Sequence, residues 1–220
     1  MKLVKFIVPL IILGVMILGG APVFAKHAKD VNHNSIPDTW ETRYKLSIKK
    51  NLANRDQDRD GLTVRQEYIL NLNPTRADSD GDKIKDGDED ADHDGLTNRQ
   101  EFSAKQNPLK ADTDNDGIKD ADEDTDNDKL TNAQEFTLGD NPLRADSDKD
   151  GVIDGDEDDD GDHLTDAQEF KLKLNPKDDD SDNDGIKDGM EDEDHDGIHN
   201  QDDEQYDNQD DGQYEEESED

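Results

Sequence analysis

Carboxylates set two residues apart dominate this chain, and their spacing defines the chemistry open to them. From Asp112 to Glu135 the sequence reads DTDNDGIKDADE and then, with nothing between, DTDNDKLTNAQE. Each dozen carries Asp at positions 1, 3 and 5 and Glu at position 12. Gly117 and Asp120 hold positions 6 and 9 of the first loop, and Lys129 and Asn132 hold them in the second. Short carboxylates at alternate positions of a tightly wound loop can turn inward, and position 7 adds its backbone carbonyl. The longer Glu closes the cage bidentately, giving about six to eight oxygens, the number a calcium ion accepts. Acid–base catalysis fits the same residues poorly, because a catalytic pair needs an apolar pocket to separate two pKa values. No enzymatic role is expected.

The pair recurs with a step of 34 residues. Loops of a first kind place their three Asp at Asp78, Asp80 and Asp82; Asp112, Asp114 and Asp116; Asp146, Asp148 and Asp150; and Asp180, Asp182 and Asp184. They close on Glu89, Glu123, Glu157 and Glu191. Loops of a second kind have Asp90, Asp92 and Asp94; Asp124, Asp126 and Asp128; Asp158, Asp160 and Asp162; and Asp192, Asp194 and Asp196. The first three close on Glu101, Glu135 and Glu169, and the last ends in the shorter Asp203. An unpaired loop with Asp56, Asp58, Asp60 and Glu67 stands 34 residues before Asp90, and a looser copy, DVNHNSIPDTWE, runs from Asp30 to Glu41. That makes ten candidate loops. The connectors carry Asn73-Pro74, Asn107-Pro108, Asn141-Pro142 and Asn175-Pro176 in phase. A fixed period of this length marks stacked units rather than chance clustering of Asp.

The rest of the chain must hold these loops in place with little apolar material. Of 220 residues only 28% are hydrophobic and 40% are charged, with a formal charge of -37. Such a composition does not offset the entropy of ordering a chain by burial alone. Ligation of divalent ions would supply the difference, since binding energy becomes folding energy when the site is absent from the unfolded state. The charge excludes nucleic acid and anionic lipid as partners and leaves cations or basic surfaces. With no cysteine, neither disulfides nor thiolate–zinc sites are available.

Residues 1–25 read as a secretory signal peptide: Lys2 and Lys5, an apolar run from Phe6 to Leu18, and Val23-Phe24-Ala25 at the cleavage position. Its removal takes the formal charge from -37 to -39. The protein is expected to be secreted and extracellular, with no membrane contact after cleavage. Residues 26–54 form an entry segment with one degenerate loop, in which Asn32 and Asn34 replace Asp, and a short helix from Pro37 to Ser47 carrying the only Trp, Trp40. The repeats fill 55–203, and 204–220 is an acidic tail without period or apolar face, expected to be disordered.

Second-kind loops lead into short amphipathic segments. Leu62, Leu96, Leu130 and Leu164 at position 7 pair with Tyr68, Phe102, Phe136 and Phe170 just past each loop. The Thr after each Leu suits a helix cap with Glu or Gln in the first turn, and two or three turns should run up to Asn-Pro. First-kind loops carry Ile84, Ile118, Val152 or Ile186 at position 7, and their closing Glu abuts the next loop, so no helix fits there. The expected fold is therefore a repeat array of tandem calcium-binding loops with short α-helices and little or no β. It should be elongated and metal-stabilised, with small apolar clusters instead of one large core. His33, His93 and His195 sit at the variable position 4, and His195 and His199 lack the helix that their spacing would need for zinc.

Abutting loops such as DTDNDGIKDADE and DSDNDGIKDGME, alternating with QEFSAKQNP and QEFKLKLNP, resemble the thrombospondin type 3 repeat in its bacterial form. The likeness spans about Asp56 to Asp203. It implies calcium as the bound ion and ligands at positions 1, 3, 5, 9 and 12. Position 9 would then add Asp86, Asn98, Asp120, Asn132, Asp154, Asp166 and Asp188. Val64 at position 9 of the Asp56 loop lacks a side-chain oxygen, and Lys83, Lys129 and His163 replace the Gly of position 6, which predicts weaker or differently shaped sites. The functional expectation is a secreted calcium-binding protein acting as a calcium-rigidified spacer or adhesion-related element, a monomer in itself. The alternative is a dockerin-like module holding another exported or cell-surface protein when calcium orders it.

Overall fold

The computed structural model describes residues 29–203; the signal-peptide and acidic-tail expectations fall on 1–28 and 204–220, outside the described residues. The chain divides into two compact units, Met1–Leu52 and Ala53–Asp220. Among the described residues there are short helices and turns and no β-strand. No helix among them is long and apolar enough to cross a membrane.

In the first unit, helix α1 (Asp38–Arg43) leaves the loop that starts at Asp30. It is shorter than the Pro37–Ser47 span expected from the sequence. Lys45 adopts φ 58°, and the Leu46 N–H turns back to the Glu41 carbonyl at 2.8 Å, which ends the helix in a left-handed turn. Ile36 and Trp40 are buried, and the Trp40 ring meets Tyr44 edge-on at 4.8 Å.

In the second unit four helices follow second-kind loops: α2 (Val64–Leu70), α3 (Asn98–Ala104), α4 (Asn132–Leu138) and α5 (Asp166–Leu172). Each begins at a capping box in which Thr63, Thr97, Thr131 or Thr165 pairs with Gln66, Gln100, Gln134 or Gln168. Each runs only seven residues. They stop at Asn71, Lys105, Gly139 and Lys173, all left-handed, before the Asn-Pro that was expected to stop them. The closing bond runs five residues back, as from Leu72 N–H to the Glu67 carbonyl at 2.9 Å. Asn-Pro does different work. The N–H of Asn73, Asn107, Asn141 and Asn175 donates to the hydroxyl of Ser79, Thr113, Ser147 or Ser181 at position 2 of the next loop, at 2.8–2.9 Å.

The core is a series of small patches. Leu62, Leu96, Leu130 and Leu164 are fully buried, while Tyr68, Phe102, Phe136 and Phe170 are half-buried. First-kind position 7 is different: Ile84, Ile118, Val152 and Ile186 stay 40–49% exposed. The following first-kind loop reaches the second-kind Leu, with Gly87 set against Leu62, whereas the first-kind position 7 side chains stay largely uncovered.

Candidate metal centres

All ten loops share one backbone path. Positions 4 and 6 have positive φ in every one, including the Asp30 loop at His33 and Ser35. Lys83, Lys129 and His163 take φ of 86°, 86° and 87° where the other repeats have Gly, and their N–H still donates to the position 1 carboxylate at 3.1–3.2 Å. The shape of the turn is therefore kept at these three positions, at the strain cost of a left-handed non-glycine residue.

Local hydrogen bonds aim the acids. The position 1 Asp accepts N–H groups from positions 4 and 6, as Asp56 does from Arg59 at 2.6 Å and Gly61 at 3.1 Å, and Asp112 from Asn115 and Gly117. Position 5 accepts from the position 7 N–H: Asp60 from Leu62, Asp82 from Ile84, Asp116 from Ile118, Asp150 from Val152 and Asp184 from Ile186, all at 2.7–2.9 Å. In Asp80, Asp114, Asp148, Asp182 and Asp194 one position 3 oxygen accepts the position 5 N–H at 2.9–3.1 Å. Position 1 is thus held through both oxygens, and positions 3 and 5 in these loops through one, which fixes where their other oxygen points.

The second-kind cages are the most closed. Glu67, Glu101, Glu135 and Glu169 are 0% exposed, and neither carboxylate oxygen of any of them has a hydrogen-bond partner. The second oxygens of Asp60 and Asp128 are buried in the same condition. Burial, then the neighbouring Asp side chains, push these four Glu up to about 9. In each of these cages a buried Glu with no donor on either oxygen, set close to Asp carboxylates, is costly as it stands. A divalent cation at the focus of each cage satisfies its acids at once. The donor set contains oxygen alone, with no imidazole or thiolate, and this fits a hard ion of the calcium type.

First-kind cages are looser. Glu89, Glu123, Glu157 and Glu191 are half-buried. Burial and the surrounding Asp push Glu89, Glu157 and Glu191 up to about 7 and raise Glu123 as well. Asp78, Asp80 and Asp82 nevertheless bring oxygens within 4.8 Å of one another, as do Asp56, Asp58 and Asp60, and Asp90, Asp92 and Asp94.

Position 9 is engaged within the fold. Its N–H closes each loop on the residue before position 1, as Asp86 does on Ala77 and Asn98 on Glu89. Side chains of Asp86, Asp120, Asp154 and Asp188 accept the position 2 N–H at 2.7–2.9 Å. For Asp86, Asp120 and Asp188 the position 2 hydroxyl donates as well. Asn98 and Asn132 donate their amides to the Asp86 and Asp120 carbonyls at 2.7 and 2.6 Å. Asp166 stands where those Asn stand and is pushed up to about 7, first by burial. The position 2 hydroxyls were not recognised as site residues from the sequence. Their signal was there, in the Ser or Thr that stands six residues after each Asn of Asn-Pro. Gln106, which donates to Glu123 at 2.9 Å, carries no comparable pattern.

The Asp30 loop supplies a natural contrast. Here Asn32 and Asn34 each donate an amide N–H to Glu41 Oε1, at 2.8 and 2.9 Å. Two donors stand where the other loops present acceptors, so this copy answers one oxygen of its buried Glu from within, while Oε2 stays without a partner.

The chain matches no protein-family model, no curated protein and no solved structure.

Proposed function

We propose that this protein is an exported calcium-binding array, a chain of loops that calcium stiffens into a structural spacer or adhesion-related element. The observation that carries the reading is the set of fully buried, unpartnered Glu67, Glu101, Glu135 and Glu169 carboxylates facing Asp side chains of their own loops. Calcium is favoured over magnesium because long bidentate Glu and a flexible oxygen shell suit the larger ion, while magnesium demands near-ideal octahedral geometry and keeps its waters. The small apolar patches leave ligation as the main source of order. Extracellular modules bind calcium at about 0.1–1 mM, which suits a chain unfolded during export and ordered outside.

The test is far-UV circular dichroism during a calcium titration, with magnesium as the control. A saturable gain of helix with calcium and little with magnesium is expected. No change with either ion would refute the reading. A second reading, a calcium-ordered surface that holds a partner protein, draws on one observation: Ile84, Ile118, Val152 and Ile186 remain exposed in phase. Calcium-dependent capture of an exported protein, abolished by Ile118→Ser and Val152→Ser, would favour it.

A further inference from the structure

The second-kind cages are not built from their own twelve residues alone. Asp86 belongs to the loop that starts at Asp78, yet its carboxylate lies with those of Asp60 and Glu67, and one oxygen from each falls within 4.8 Å of the others. All three side chains are buried. Asp120 joins Asp94 and Glu101 in the same way. Asp154 and Asp188 take the equivalent places in the next two repeats, beside Gly155 and Gly189, whose backbone abuts the Asp128 and Asp162 carbonyls. A carboxylate 26 residues downstream of position 5 therefore recurs at each of these four cages.

Backbone contacts hold the two loops in this register. The Ala121 N–H donates to the second oxygen of Asp94 at 3.1 Å, and the Gly189 N–H to that of Asp162 at 2.7 Å. A Cβ at Gly87, Gly155 or Gly189 would overlap the carbonyl oxygen of Asp60, Asp128 or Asp162, so the following loop sits directly on the cage. The downstream acid is itself positioned by Ser79 or its equivalents, that is, by the folding of the first-kind loop.

We infer that each second-kind site is completed by the first-kind loop that follows it, so that ion binding in the two loops is coupled, each favouring the other. Ordering of a first-kind loop delivers Asp86, Asp120, Asp154 or Asp188 to the cage before it. Added negative charge at a divalent site raises its affinity, and the same charge penalises the empty cage. This inference rests on the calcium reading above and adds to it the identity of the loop that completes each cage.

Asp120→Asn separates the possibilities, because Asn can keep the acceptor for the Thr113 N–H while losing the charge. Hydrogen exchange followed by mass spectrometry across a calcium titration of the whole protein gives a midpoint for each segment. The midpoint of 90–104 should move to about 3–10-fold higher calcium, by more than that of 112–123, with 158–172 unmoved as an internal sign that the chain is folded. Asp188→Asn should act likewise on 158–172 and leave 90–104 alone. A shift confined to 112–123, or to 180–191 in the second variant, would overturn the coupling and return position 9 to its own loop. No calcium-dependent protection in the unsubstituted protein would overturn the ion reading itself, and the coupling with it.

Discussion

Asn34 offers the sharpest test of why these loops need an ion. In the Asp30 loop the Asn34 amide donates to Glu41 at 2.9 Å, whereas the equivalent Asp60 offers its buried Glu only another acceptor. Asn34→Asp should convert a loop whose Glu41 Oε1 is answered by two amide donors into an ion-dependent one. Losing a hydrogen bond to a charged group costs about 1.5–3 kcal/mol. Setting a second carboxylate about 4 Å from Glu41 adds repulsion of about 4 kcal/mol at an effective dielectric of 20, a ceiling because one of the pair can take up a proton. A net loss of roughly 3–5 kcal/mol in chelator follows, comparable with the whole stability of a small domain. Trp40 is the only Trp, lies buried in the helix that leaves this loop, and stacks edge-on with Tyr44, so its emission reports the outcome. In the unsubstituted protein Trp40 emission should be the same in chelator and in millimolar calcium. In the variant it should shift to the red in chelator and return on adding calcium. A native Trp40 that shifts as far as the variant's in chelator, or a variant that does not shift at all, would refute the reasoning.

Three further outcomes follow from the same geometry. Glu135→Gln removes the bidentate closure of a fully buried cage, and its site should bind calcium at least about tenfold more weakly by calorimetry, with one fewer ion taken up at low calcium. Because Glu67, Glu101, Glu135 and Glu169 titrate at about 9 in the folded, ion-free chain, above their ordinary range, their contribution to ion-free order is complete below about pH 4.5 and is lost as pH rises through 9. Helix content in chelator should therefore fall from pH 5 to pH 9, the gain on adding calcium should grow over the same range, and binding at pH 7 should release protons into weakly buffered solution. His163→Gly relieves a non-glycine residue at φ 87° and should stabilise the calcium form by about 1 kcal/mol, read as a higher melting temperature.

Much of this protein is written locally. Thr and Gln three residues apart fix the start of each helix, Asp at positions 1 and 5 captures amides within five residues, and the period follows from counting. Such bonds span a few residues and need no distant partner, so the sequence alone determined the loops, the caps and the identity of the inward acids. Position 9 and position 7 were decided otherwise. Leu62 and Ile84 occupy the same place in the same turn, yet one is buried and the other 47% exposed; Leu62 has Gly87 of the next loop packed against it. Asp86 reads as a ligand of its own loop and also lies with Asp60 and Glu67. Asn34 reads as a replacement for Asp in a degenerate loop, and it donates to Glu41. Whether a polar side chain faces an ion or a hydrogen-bond donor depends on what packing brings opposite it, and that partner can lie 26 residues away, as Asp86 does from Asp60. Local pattern chooses the residue types; the stacking of one loop on the next chooses their partners.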